Sequence, residues 1–264
     1  MKISQLTTNL FIAIIVTFIA NSWLNIPGRA EVVSSQKRSP QEEPKKPKSS
    51  KPEKLDFSGD GRPGRRAGGG SRSSCPSTQI PLTALIPAKN IGTTVSDRPS
   101  LWFYVPYAPQ QATSGEFVLQ DKQENDVYRQ TFNLSQTPGL VSFKLPQSAP
   151  PLAINQSYRW YFKLYCDDSL TTANFVEGWI ARTPLPPDLE TRLKSEQSPA
   201  YLEYGSNSIW FDSLDSLAQL RLKKDNPQLQ NDWNKLLGAE GVKLDRLSDQ
   251  PLLGKVTNLV GDGK

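Results

Sequence analysis

From residue 82 to residue 183 the chain alternates short apolar runs with turn residues. Seven runs stand out: Leu82–Ile86, Leu101–Val105, Glu116–Gln120, Val127–Leu134, Leu140–Leu145, Tyr158–Cys166 and Phe175–Arg182. Pro87 and Pro106 stop the first two, and the polar stretch Asp121–Asp126 between the third and fourth is a hairpin signal. In the sixth run Tyr158, Trp160, Phe162, Leu164 and Cys166 share one face, whereas Arg159, Tyr161, Lys163 and Tyr165 share the other. The first set is expected in a core. Seven short strands with no helical pattern between them predict a mainly β domain, an antiparallel two-sheet β-sandwich over 75–183.

The period changes after Thr183-Pro184-Leu185-Pro186-Pro187. A short helix is expected over Asp188–Ser195, and Ser198 with Pro199 opens the next. Trp210, Leu214, Leu217 and Arg221, with Leu220 beside them, form a helical stripe. Asn226-Pro227 opens a further helix with Leu229, Trp233, Leu236 and Leu237 on one face and Gly238 at its end. Residues 184–264 therefore read as a small C-terminal helical hairpin packed on the sandwich. With Tyr204, Trp210 and Leu217 it resembles one tetratricopeptide-type unit, whose sharper reading is a peptide-binding groove.

The first 30 residues form a leader: Lys2, an apolar run from Leu10 to Ala20, then Pro27-Gly28-Arg29-Ala30. This is the pattern of a cleaved secretory signal peptide. An uncleaved membrane anchor is the alternative, although the run falls short of the roughly 20 residues that span a bilayer. Residues 31–74 follow as a basic linker rich in Pro, Lys and Gly, with only Val32, Val33, Leu55 and Phe57 as bulky apolar side chains. So little apolar surface predicts disorder. Within it, Pro63-Gly64-Arg65-Arg66 and Gly68-Gly69-Gly70-Ser71-Arg72 stand out, but Cys75-Pro76 follows where a phosphate-binding loop needs a helix.

The net charge of +5 is not that of the whole chain evenly. From Glu31 to Ser74 there are 11 Lys/Arg against 6 Asp/Glu, whereas from Cys75 to Lys264 there are 18 against 20. A basic linker can contact an anionic membrane or cell wall, but a slightly acidic folded part argues against nucleic acid as a partner. The sequence contains no histidine, which removes Ser-His-Asp and Cys-His arrangements and His-ligated metals. Cys75 and Cys166 are the only cysteines. In an exported protein they are disulfide candidates, and joining them would stabilise by roughly 4–5 kcal/mol; two reduced thiols are the alternative.

Asp167 and Asp168 beside Ser169, with Glu177, Glu203 and Asp212, are the best carboxylates for acid/base chemistry. Acidic residues in turns ordinarily just solvate a loop, and the glycine and alternating oxygen ligands of calcium loops are missing. No catalytic residue, metal or cofactor is assigned. Tyr104, Tyr107, Tyr161, Tyr165 and Trp179 are candidate binding-surface aromatics, with ordinary cross-strand packing as the plain alternative. The expected function is that of an exported periplasmic or extracellular, non-enzymatic module that recognises an envelope protein or polysaccharide. A carboxylate-dependent glycan-acting enzyme and a purely structural envelope protein are the alternatives.

The stretch Pro151-Leu152 through Tyr158-Arg159-Trp160 resembles the strand entry of immunoglobulin- and fibronectin-type modules. A wider set of motifs occurs in order: Leu82-Thr83-Ala84-Leu85-Ile86-Pro87, Pro99-Ser100-Leu101-Trp102-Phe103-Tyr104-Val105-Pro106, Glu116-Phe117-Val118-Leu119 and Pro138-Gly139-Leu140-Val141. Cys166-Asp167, Gly178-Trp179-Ile180, Ile209-Trp210-Phe211-Asp212 and Asp232-Trp233 continue it. With Pro63-Gly64-Arg65-Arg66 and the glycine run, these resemble the cyanobacterial domain-of-unknown-function family DUF928 over about residues 60 to 255. The resemblance implies an exported location and a cyanobacterial source, and no activity.

Overall fold

A computed structural model describes residues 55–69, 74–112, 114–167 and 170–258. The expected leader and most of the expected linker lie outside them. Among the described residues ten strands form two sheets: β1 Thr83–Ala84, β2 Ile91–Thr94, β3 Ser100–Val105, β4 Ser114–Gln120, β5 Asp126–Asn133, β6 Gly139–Lys144, β7 Ser157–Tyr165, β8 Asn174–Arg182, β9 Leu252–Lys255 and β10 Thr257–Asn258. A four-stranded sheet runs β1-β3-β6-β9 and a six-stranded sheet runs β10-β5-β4-β7-β8-β2.

The two sheets share aromatic contacts. Phe103 of β3 stacks on Phe162 of β7 at 4.0 Å, and Phe117 of β4 on Phe143 of β6 at 4.2 Å. Such pairs contribute about 0.5–1.5 kcal/mol beyond the area they bury. Trp160, Phe162 and Leu164 are buried, on the face that the alternation of β7 predicts. Two glycines make room for these rings. A Cβ at Gly115 would come within 2.2 Å of the Phe132 ring, and one at Gly178 within 2.6 Å of Trp160.

The sheets are mixed, which corrects the antiparallel expectation. β2 pairs with β8 and β6 with β9 in parallel. A parallel neighbour needs a long crossover, and β9 returns to β6 only after four helices have intervened. β2, β9 and β10 are too short to show alternation, so the sequence pattern did not reveal them.

The tail is also more than a hairpin. It holds α1 Pro187–Ser195, α2 Ala200–Ser206, α3 Trp210–Lys223 and α4 Pro227–Leu237, and then returns a strand to each sheet. Asn226 caps α4 by accepting from Gln228 N, with Pro227 in the first turn. α3 packs on β2, β3 and β9. Trp210 and Leu217 are fully buried, and the Trp210 indole donates to Leu85 O at 2.9 Å. The apolar stripe of α3 is thus spent on the sheets rather than on a groove. Every residue of β3 is buried, its outward-facing Trp102 included. A strand covered on both sides reads as an unbroken apolar run, as Leu101-Trp102-Phe103-Tyr104-Val105 does.

Residues 55–69 belong to the fold, contrary to the disorder expected of them. Phe57 is buried and meets Trp210 edge-on at 4.9 Å. Arg65 N donates to Glu177 O and Glu177 N returns a bond to Arg65 O, while Gly68 N donates to Leu82 O and Ala84 N to Arg66 O. The segment is a strap along the side of both sheets. Backbone pairing at a sheet edge needs no apolar side chains, so a composition rule could not detect it.

Candidate binding face

On β7 and β8 the residues opposite to the core point away from the six-stranded sheet: Arg159, Tyr161, Lys163 and Tyr165, then Phe175, Glu177 and Trp179. The pairing sets Arg159 opposite Trp179, Tyr161 opposite Glu177 and Lys163 opposite Phe175. On the other side of β7, Glu116 of β4 lies opposite Lys163 and Val118 opposite Tyr161. Rings and charges therefore alternate along β7 and along β8 and face one another across that pair.

Ion pairs lock this pattern. Arg159 Nη2 lies 2.6 Å from Glu177 Oε2, Lys163 Nζ 2.8 Å from Glu116 Oε1, and Arg129 Nη1 2.6 Å from Glu116 Oε2. Arg129 also reaches Asp126 at 2.6 Å. Burial alone would raise the Glu116 carboxyl, but hydrogen bonds from Lys163 and Arg129 outweigh it and hold the group below its ordinary value. Burial pushes the Tyr161 and Tyr165 hydroxyls up, so both rings stay neutral. The Arg159 and Lys163 cations sit 5.1 Å and 5.9 Å from the Tyr161 ring centre. From the strap, Arg65 lies 4.4 Å over Phe175 and Arg62 5.5 Å over Trp179, whose indole donates to Pro63 O at 2.9 Å.

Three of the five aromatics proposed from sequence, Tyr161, Tyr165 and Trp179, reach this surface half-buried. Tyr104 and Tyr107 do not, and their assignment to a binding surface is corrected. Both are buried, and the Tyr107 hydroxyl accepts from Asn174 Nδ2 at 2.6 Å. Tyr104 lies on the doubly covered β3. Phe175, Arg62 and Arg65 were missed. The parity of β8 places Phe175 with Trp179, whereas nothing local tied the strap arginines to the sheet. Cys75 and Cys166 are joined in a disulfide.

The candidate carboxylates have separate structural partners. Glu177 pairs with Arg159, and Glu203 with Arg192 at 2.7 Å. Asp168 lies outside the described residues, and Asp167 has a partner of its own. Asp212 accepts from Val95 N at 3.2 Å, and burial raises its carboxyl above the ordinary value. Asp212 and Asp215 line one pocket with Arg98 and Lys144, but it measures about 120 Å³. Ligand sites ordinarily start at about 300 Å³, so this one is small for a ligand site.

A family model described as Domain of Unknown Function (DUF928) matches residues 67–252. The chain belongs to the DUF928 family. In this DUF928 protein the match takes in β1 to β8 and all four helices. It begins just after the part of the strap that holds Arg62 and Arg65. No curated protein matches the chain.

Proposed function

We propose that this DUF928 protein is an exported, non-enzymatic recognition module that docks an envelope protein or polysaccharide on the outer face of its six-stranded sheet. The observation that carries the reading is the set of half-exposed rings, Tyr161, Phe175 and Trp179, each with a cation over it. Aromatic rings held rigidly at a surface supply contact area at little entropic cost. The signal-like leader and the Cys75–Cys166 bond both favour an oxidising compartment outside the cytoplasm, periplasmic or extracellular. Among the described residues no helix is long and apolar enough to cross a membrane. The facing aromatic side chains of the two sheets support a sandwich of immunoglobulin-like type as the scaffold, and the basic linker would hold it near an anionic membrane or wall.

The test is retention of envelope polysaccharide and protein fractions on the immobilised full chain. Tyr161→Ala with Trp179→Ala should abolish retention, while Tyr201→Phe, on α2, should leave it intact. Equal retention by all three proteins would remove the docking face. An enzyme acting through Asp212 and Asp215 is disfavoured by the size of their pocket.

A further inference from the structure

The motif Pro63-Gly64-Arg65-Arg66 acquires a role from the way the strap is held. Its backbone is fixed on one side by the Glu177 pairing and on the other by the Trp179 indole at Pro63 O. Gly64 fits because a Cβ there would approach Asn90 Cβ to 2.9 Å. Successive side chains of an extended strand point to opposite sides. Arg66 accordingly turns inward and donates to the carbonyls of Ile86, Val242 and Lys243. Arg65 turns outward over Phe175, and Arg62 lies over Trp179.

The outward pair differs from every other cation of the face. Arg129, Arg159 and Lys163 are each neutralised by Glu116, Asp126 or Glu177. Arg62 and Arg65 are exposed, and among the described residues neither guanidinium has a carboxylate or carbonyl partner. Each is oriented by the ring beneath it, with its planar set of donors turned to solvent. The two are three residues apart with a bend at Pro63 between them, which turns both to the same side and keeps their Cα atoms within about 10 Å. That is a preorganised receptor for two spaced carboxylates.

We propose that the ligand of this face is a carboxylate-bearing polysaccharide, gripped by Arg62 and Arg65; the inference rests on the docking-face reading above. The spacing and the mixed charge select the polymer. A nucleic acid, with one negative charge for about every 1.7 Å of duplex, would run into Glu177, Glu116 and Asp126. A sugar chain with sparse carboxylates meets the two free guanidinium groups, presents hydroxyls to those same acidic side chains, and lays its C–H faces against Tyr161 and Trp179.

Affinity electrophoresis of the full chain through gels containing polygalacturonate, dextran sulfate or neutral dextran tests this, at an ionic strength that shortens electrostatic reach to about 8 Å. Polygalacturonate should retard the protein, and Arg62→Gln with Arg65→Gln should weaken that at least about tenfold. Removing two linker charges by Lys48→Gln with Lys51→Gln should change it less than about twofold. An unchanged thermal midpoint confirms that the variants fold. Equal losses in the two double variants, preference for dextran sulfate, or no retardation by polygalacturonate would each overturn the inference. Retention by neutral dextran that Tyr161→Ala and Trp179→Ala abolish, but the arginine variant does not, would overturn the carboxylate ligand and leave the docking face standing.

Discussion

The indole Nε1 of Trp102 donates to Asp215 Oδ1 at 2.9 Å, tying the outward face of β3 to α3. Trp102 is 1% exposed, so its indole N–H depends on Asp215 for an acceptor within the protein. Asp215→Ala should cost about 1–3 kcal/mol in urea denaturation. Trp102→Phe with Asp215→Ala should cost less than the sum of the two single changes, because the stranded donor is gone.

The Cys75–Cys166 bond closes a loop with a sequence separation of 91. Replacing both residues with alanine should lower unfolding free energy by roughly 4–5 kcal/mol, read from the shift in denaturation midpoint. Far-ultraviolet circular dichroism should stay unchanged, since the aromatic core between the sheets does not depend on the bond.

Arg66 fastens the strap to the carbonyls of Ile86, Val242 and Lys243, and burial lowers its guanidinium pKa. Arg66→Ala should destabilise by about 1–3 kcal/mol. Limited proteolysis should then cut within residues 55–69 before it cuts any strand. A variant that loses stability with the strap still protected would count against this anchoring role.

Asp212 and Glu116 should give opposite pH dependences. Burial raises Asp212 in the folded state, so the native protein holds that proton more tightly than the unfolded chain. Stability from this group is full below the unfolded carboxyl range and falls as pH rises through the raised folded value. Asp212→Asn should lack that fall, gaining relative to wild type toward neutral pH. Glu116 is lowered, so its contribution is full above the unfolded range and is lost as pH drops through its folded value. Denaturation of both variants from pH 3 to pH 8 checks the two signs.

Much of the candidate face was legible one strand at a time. Alternation in Tyr158–Cys166 separates Trp160, Phe162 and Leu164 from Arg159, Tyr161, Lys163 and Tyr165, and the structure keeps that division. The same reasoning could not judge Tyr104. Its strand looks the same whether its second side meets water or α3, and only the packing of the helices decides. Leu55–Gly69 failed for another reason, since its stability comes from backbone bonds to Glu177, Leu82 and Ala84 that composition does not encode.

Local chemistry along the chain determined β1, β3 to β8 and the helical segments, the buried face of β7 and the cap of α4, because side-chain parity and capping act between near neighbours. It also set the limits of the chemistry, through the missing histidine. Tertiary structure alone decided the parallel pairings of β2 and β9, the burial of Tyr104 and Tyr107, and the meeting of Arg62 and Arg65 with Trp179 and Phe175. Those contacts join residues about a hundred positions apart in the chain, and hydrogen bonding and burial at that range depend on how the sheets close rather than on any local pattern.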